Sequence, residues 1–215
     1  MVKNVIKTVI VYQIFVNILV NTTAGQKLHV DTFYIASWCG NLNLPRYVLA
    51  SFNPRRDKVK ECLSAPNYEN LTGLQNYRHI ILASNWQAWH VPLMEESIRN
   101  ISENSNAVIT VVGNKSFGKV NPFLLESLPV EQRLRAYNQP SPAAMQINID
   151  LERLVNEFGA ITFINPNVFF CENNSCQLFD DEGRLLSYDG GHLTKDGAIF
   201  LAQKMDATVQ KILGN

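Results

Sequence analysis

An aspartate and a histidine, separated by two glycines, stand near the end of the chain in the run Tyr188-Asp189-Gly190-Gly191-His192. The Asp189 carboxylate can accept a hydrogen bond from one imidazole nitrogen of His192, which leaves the other nitrogen free to take a proton from a hydroxyl. Glycine between them permits a tight turn that other residues would strain. Thr194 is expected to be the N-cap of the helix that begins at Lys195. The pattern predicts the base half of a nucleophilic triad, although no obvious nucleophile motif accompanies it.

Short apolar segments alternate with helical patterns along the chain, which is typical of a parallel sheet covered on both faces. The sequence predicts strands at 28–36, 79–83, 107–112 and 160–164, and helices at 92–101, 141–158 and 195–213. Sites in such sheets lie at the carboxyl ends of the strands. The polar or small residues predicted at these ends are Ser37, Gly40, Ser84, Asn85, Gly113, Asn114 and Asn165. We therefore expect a three-layer α/β/α sandwich with the Asp189–His192 loop closing over this edge.

Composition favours one globular domain over residues 1–215, because the chain is long enough for a core and has no linker or repeat. The formal net charge is zero. Without a basic excess, nucleic acid is not an expected partner.

The four cysteines are read by their spacing. Cys171 and Cys176 bracket a small polar turn, and Cys39 and Cys62 could form a second bridge. Disulfides are favoured over four reduced thiols, and they imply an oxidising, extracytoplasmic compartment. A metal site is not expected, because these residues form no Cys-x-x-Cys motif and have no nearby histidine in the sequence. No cofactor is expected either.

The amino-terminal segment allows three interpretations. Lys3 and Lys7 precede an apolar run at 8–20. This arrangement suits a signal peptide, is short for a transmembrane helix, and also fits an amphipathic helix by its 3.6-residue spacing.

The run from Tyr188 to Thr194, followed by Gly197-Ala198, resembles the last sequence block of SGNH (GDSL-like) hydrolases. Together with Asn165-Pro166, the cysteine pair at 171 and 176, and Gly183, it is similar to the SGNH domain at the carboxyl terminus of acyltransferase-3 proteins. These are bacterial O-acetyltransferases of lipopolysaccharide and other surface glycans. The resemblance favours the helix among the amino-terminal interpretations.

The resemblance implies roles for four residues. His192 would be the general base and Asp189 would orient it. Asn85 or a nearby backbone amide would donate to the oxyanion, as would the Gly40 N–H. A serine would attack an acetyl carbonyl, and the acyl group would pass to a sugar hydroxyl or to water. The implied acceptor is a surface glycan or lipopolysaccharide, the acyl donor would come from an upstream membrane domain, and the location would be the periplasmic face of the inner membrane.

The chain departs from the family at the nucleophile. SGNH proteins carry it in a Gly-Asp-Ser block after the first strand, and this block is missing here. We therefore expect a sheet without its first central strand, an amino-terminally truncated domain, and a chain that is inactive as it stands. Ser37 and Ser84 are disfavoured as substitutes, because neither lies on a recognisable strand-to-helix elbow. The alternatives are an SGNH carbohydrate O-acetyl esterase and a degenerate, non-catalytic glycan-binding remnant.

Several other residues have ordinary structural interpretations. Trp86 and Trp89 are expected in the core or at its rim rather than as sugar platforms. His90, near Pro92, is expected on the surface. His29 and His79 are expected to be structural, and Lys115 and Lys119 to lie in a solvated loop.

Overall fold

The computed structural model of the chain describes residues 7–10, 29–32, 39, 42–64 and 74–214. These residues fall into two compact units. The sheet unit contains the described residues up to Gly113 together with Ile147–Ile164. The hairpin unit contains Asn114–Gln146 and the described residues from Asn165 onwards.

A parallel five-stranded sheet forms the centre of the sheet unit. Its strands stand in the order β2-β1-β3-β4-β6, which is the flavodoxin-like order. All four pairings in this sheet are parallel. The strands are β1 (Lys7–Ile10), β2 (His29–Thr32), β3 (His79–Ala83), β4 (Val108–Val112) and β6 (Thr162–Ile164). The expected class, α/β with a mainly parallel sheet, is confirmed.

The expectation that the first central strand is absent is wrong. β1 lies between β2 and β3, with Thr8 paired to Val30 on one side and to His79 on the other. Residues 7–10 are therefore a strand and not part of a helix. The run Lys-Thr-Val-Ile is rich in β-branched residues, which pack well on a pleated, buried surface. Periodicity left the interpretation of this segment open, and the resemblance that favoured a helix was misleading for residues 7–10.

The core of the sheet unit lies between β3, β4 and the helices that cover them. Ile80 and Val111 from the strands pack with Met94, Ile98 and Leu151 from the helices, all nearly fully buried. A disulfide joins Cys39 to Cys62, as predicted. The helices of this unit are α1 (Arg46–Phe52), α2 (Val59–Leu63) and α3 (Val91–Asn104), and α6 (Pro142–Asn156) contributes its later turns.

A small antiparallel sheet and a long carboxyl-terminal helix characterise the hairpin unit. The sheet has the order β5-β8-β7, and the predicted disulfide Cys171–Cys176 joins two directly paired residues. The elements of this unit are α4 (Pro122–Glu126), α5 (Val130–Arg133), β5 (Tyr137–Asn138), β7 (Cys171–Glu172), β8 (Ser175–Gln177) and α7 (Lys195–Gly214). None of the helices in the described part of the chain is both long enough and apolar enough to span a membrane.

Candidate functional site

Asp189 and His192 form a hydrogen-bonded pair in the hairpin unit. The Asp189 Oδ2 atom lies 2.7 Å from His192 Nδ1. The other carboxylate oxygen, Oδ1, accepts the backbone N–H groups of Gly191 at 2.8 Å and His192 at 2.7 Å. The carboxylate thus holds both the ring and the backbone of the histidine.

The protonation state of this pair follows from those contacts. Partial burial opposes ionisation of Asp189, but the hydrogen bonds from His192 and Gly191 outweigh it and lower the pKa of the carboxyl to about 2. Asp189 is therefore a carboxylate at ordinary pH, and His192 Nδ1 must carry the proton it donates. In the neutral ring, Nε2 is then the basic nitrogen. Because 64% of the His192 side chain is exposed, Nε2 can reach a substrate hydroxyl.

A network of short contacts fixes the loop that carries the pair. The buried Ser187 hydroxyl donates to the His192 carbonyl oxygen at 2.7 Å and accepts the Gly190 N–H at 2.9 Å. Gly190 has φ +90°, and a side chain there would overlap the Gly118 carbonyl oxygen. Of the two glycines, only Gly190 needs its conformational freedom, because a Cβ on Gly191 would meet nothing closer than 3.6 Å. Sequence reasoning missed Ser187, whose position directly before Tyr188 was the available signal.

Thr194 ends the loop and begins α7. Its hydroxyl accepts the Gly197 N–H at 2.9 Å, which is the bond of a helix N-cap residue to the third helical position. This cap was predicted from sequence. It fixes the point at which the loop joins a long, well-packed helix.

Lys115 is a charged neighbour of the pair that sequence reasoning assigned to a solvated loop. That expectation is wrong, because the residue is partly buried. Desolvation lowers the pKa of its ammonium group to about 8, while the Asp189 carboxylate acts in the opposite direction. The two loops also meet directly, since the Phe117 N–H donates to the Gly190 carbonyl oxygen at 2.9 Å. Lys115 therefore contributes positive potential at Asp189.

The other predicted site residues belong to the sheet unit or lie outside the described residues. Asn85 follows β3 in the sheet unit and is exposed, and its side chain forms no hydrogen bond with any residue that the structure describes. Gly40 and Ser37 lie outside the described residues. The oxyanion roles of Asn85 and Gly40 stay predictions.

Two further strand-end residues have structural roles. A side chain at Gly113 would come within 2.6 Å of the Asn148 Oδ1 atom, so glycine there permits close packing of α6 on the sheet. The Asn165 side chain accepts the Asn167 N–H at 3.1 Å, which caps the 3₁₀ helix Pro166–Phe169. Neither contact requires a ligand.

Trp86 and His90 are buried parts of the sheet unit. The Trp86 Nε1–H donates to the Val112 carbonyl oxygen at 2.7 Å, and the residue is fully buried, as its expected core role requires. The expectation that His90 lies on the surface is wrong, because it is 0% exposed. The 3₁₀ helix Ala88–His90 places the imidazole ring of His90 inward, in contact with the rings of Trp86 and Trp89.

No group of three metal-ligating side chains occurs among the residues that the structure describes. The arrangement of Asp189 and His192 matches the orienter and base of a proton-transfer pair. Such a pair can remove a proton from a hydroxyl, and its exposure leaves room for a large substrate.

The fold and the pair place the chain among α/β proteins of the SGNH type, which combine a flavodoxin-like sheet order with an Asp-x-x-His loop before the last helix. The family model described as "SGNH domain (fused to AT3 domains)" matches residues 32–207. The chain belongs to this family.

Two solved structures align with the chain at low sequence identity, and the first of them shows the same fold. The periplasmic domain of a lipopolysaccharide acetyltransferase from Salmonella ser. Paratyphi A aligns with TM-score 0.64 and 16% identity, over 97% of this chain and 85% of that one. A carbohydrate acetylesterase family member from Sinorhizobium meliloti aligns with TM-score 0.49 and 10% identity, over 97% and 100%. A search of curated protein sequences found no match.

Proposed function

We propose that the chain is the SGNH part of an acyltransferase-3 type protein that O-acetylates a bacterial surface polysaccharide, with His192 as general base and Asp189 as its orienter. The observation that carries this proposal is the 2.7 Å contact between Asp189 Oδ2 and His192 Nδ1, in a loop whose backbone is tied on both sides. Membership of the family supports the acyl-transfer class. The similarity to a lipopolysaccharide acetyltransferase from Salmonella supports lipopolysaccharide or a similar glycan as acceptor.

The family's chemistry needs four parts. In the first step a serine attacks the acetyl carbonyl, the serine proton passes to the histidine, and the leaving group takes that proton. In the second step the sugar hydroxyl attacks the acyl-serine, with the same histidine as base. N–H donors stabilise the oxyanion, and we assign this to Asn85 and the Gly40 backbone. The acyl donor would be delivered by a membrane domain of the full protein. His192 and Asp189 supply the base in this scheme.

The nucleophile is the missing part. With β1 present at Lys7–Ile10, the family's Gly-Asp-Ser block is expected directly after it. The sequence that follows is Val-Tyr-Gln-Ile-Phe, and the first serine of the chain is Ser37. This observation favours a second candidate, a degenerate SGNH domain that binds glycan without turning it over. Under either candidate we expect the chain as it stands to form no acyl-serine at this position.

The location and extent of the domain are part of the proposal. The two disulfides and the periplasmic relative support an extracytoplasmic location, on the periplasmic face of the inner membrane. We propose that the two units together form one SGNH-like domain over residues 1–215.

Reinstalling a nucleophile tests the proposal. Gly-Asp-Ser is placed after β1 in three registers, at 11–13, 12–14 and 13–15, and each variant is assayed with p-nitrophenyl acetate. We expect no turnover by the original chain, and turnover by one register that disappears when His192→Ala or Asp189→Asn is added. Circular dichroism and thiol counts verify that each variant folds and keeps both disulfides.

The outcomes separate the candidates. Turnover that depends on His192 supports the base assignment. If all three folded variants are silent, His192 is not the base of a site at the end of β1, and the glycan-binding remnant becomes the better description. Turnover by the original chain that survives His192→Ala would contradict both candidates.

A further inference from the structure

A cleft of about 340 Å³ opens beside the small antiparallel sheet of the hairpin unit. Its size is at the lower end of small-molecule sites, which span about 300–1,000 Å³. The 3₁₀ helix Pro166–Phe169 forms one wall, with Val168 66% exposed. The residues that line the cleft are Tyr137, Val168, Phe169, Phe170, Cys171, Glu172, Ser175 and Gln177.

The pairing of the strands decides which side chains face the cleft together. Tyr137 pairs directly with Gln177, and Glu172 pairs directly with Ser175. Directly opposed residues of an antiparallel pair share a face, and so do residues two apart on one strand. Tyr137, Gln177, Ser175 and Glu172 therefore lie on one face of the sheet, while Cys176 is on the other and is fully buried.

This face combines an aromatic ring with polar groups that the protein leaves unused. Tyr137 is 56% exposed although it lies in a strand. The side chains of Tyr137, Glu172, Ser175 and Gln177 form no hydrogen bond with any other described residue. They offer a hydroxyl, a carboxylate, a second hydroxyl and a carboxamide, which together donate and accept.

The floor of the cleft is held rigid. Asn173 and Asn174 make the hairpin turn with φ 49° and 61°, the left-handed values that a two-residue turn of this kind needs at both positions. The disulfide Cys171–Cys176 crosses the hairpin directly behind the face. A preformed platform loses little conformational entropy on binding.

The chemistry of the lining points to one class of ligand. Among the residues that the structure describes, no lysine, arginine or histidine lines the cleft, so these residues offer no cation to a phosphate or a carboxylate. A pyranose ring has an apolar C–H face that stacks on an aromatic ring, and hydroxyl groups at its edge that both donate and accept. We propose that this face binds a neutral sugar ring of a glycan, with Tyr137 as the stacking platform and Gln177, Ser175 and Glu172 as hydroxyl partners.

This inference rests on the proposed function only in its choice of glycan, and the cleft shares no lining residue with the Asp189–His192 loop. In that setting the cleft would hold a second sugar of the polymer while another residue is acetylated. Its test needs binding alone, without turnover.

Saturation-transfer NMR with three probes tests the site: methyl α-D-mannopyranoside, methyl α-D-galactopyranoside and methyl α-L-rhamnopyranoside at millimolar concentration. We expect at least one glycoside to receive saturation through the C–H protons of one ring face. Tyr137→Ala should weaken its affinity by about fivefold or more, whereas Tyr137→Phe keeps the stacking ring and stays close to the original. Tyr47→Ala, at a tyrosine that is 71% exposed in the sheet unit, is the matched control and should change nothing.

Absence of saturation transfer to all three glycosides would overturn the inference, as would binding that is unchanged in Tyr137→Ala. The same measurement on His192→Ala keeps the two proposals apart. Tyr137-dependent binding in a chain that never gains turnover contradicts the proposed function alone. Rescued turnover without Tyr137-dependent binding contradicts the cleft alone.

Discussion

His90 makes the stability of the sheet unit depend on pH, and the size of the effect can be worked out. The ring is fully buried, and its Nδ1 accepts the Gln87 N–H at 3.0 Å. The neutral ring therefore carries its proton on Nε2, which has no hydrogen-bond partner in the described structure. Burial lowers the pKa of the imidazole from 6.5 to about 3.

The sign and the magnitude follow from proton binding. The unfolded chain takes up a proton at His90 with a pKa near 6.5, and the folded chain does so only near 3. The contribution to stability is complete above pH 6.5 and is lost as the pH falls towards 3. At pH 5, which is about 1.5 units below the unfolded pKa, proton binding stabilises the unfolded state relative to the folded state by about 2 kcal/mol. This figure is insensitive to the folded pKa as long as that pKa lies below about 4.

Urea unfolding of the original chain and of His90→Asn, at pH 7.5 and pH 5, measures the effect. The Asn Oδ1 atom can still accept the Gln87 N–H, so the variant loses the titration while keeping that hydrogen bond. We expect the free energy of unfolding of the original chain to fall between the two pH values by about 2 kcal/mol more than that of the variant. Taking the difference cancels the titration of other groups.

His79→Asn is the matched variant, because burial and then the Arg78 charge also lower the pKa of His79. His79→Asn should also reduce the dependence of the free energy of unfolding on pH, in the same direction as His90→Asn and independently of it. Equal pH dependence in the original chain and in His90→Asn would refute the assignment of a neutral, buried imidazole at position 90.

Two further predictions concern single side chains, and denaturant unfolding checks both. Gly190→Ala should lower the free energy of unfolding by about 1–3 kcal/mol, because φ is +90° and the new methyl group meets a backbone carbonyl oxygen. Gly191→Ala should be nearly neutral. Equal costs at the two positions would contradict the reasoning. Trp86→Phe should cost about 1–3 kcal/mol, because it leaves the buried Val112 carbonyl oxygen without its donor. The same change at Trp89, for which the described structure gives no hydrogen bond, should cost clearly less.

Much of the local structure was predictable because the signals were local. Thr194 was identified as the cap of α7 from its place before a helical pattern, and Cys171 and Cys176 were paired because they bracket a short polar turn. The Asp189–His192 pair is local in the same sense, since three residues separate its partners. Each of these interactions joins residues that are close together in the sequence.

The predictions that were wrong concern residues whose structure depends on partners far away in the sequence. The segment 7–10 became a strand because β2 and β3 pair with both of its edges, and these partners lie far along the chain. His90 looked like a loop histidine, and its burial depends on packing against the tryptophan rings around it. The approach of Lys115 to Asp189 likewise depends on how two loops meet.

The contacts that hold Asp189 and His192 also serve the packing of the hairpin unit. Ser187 closes the loop, Gly190 lies against the 114–118 segment, and Thr194 starts a helix whose inner face is buried. A chain without a nucleophile would keep the 2.7 Å contact between Asp189 and His192, because none of these bonds involves a substrate or a nucleophile. A glycan-binding remnant would therefore keep this geometry, whereas an acyltransferase would use it. The property that differs between them is proton transfer from a nucleophile at the end of β1, which is why the Gly-Asp-Ser variants divide the two.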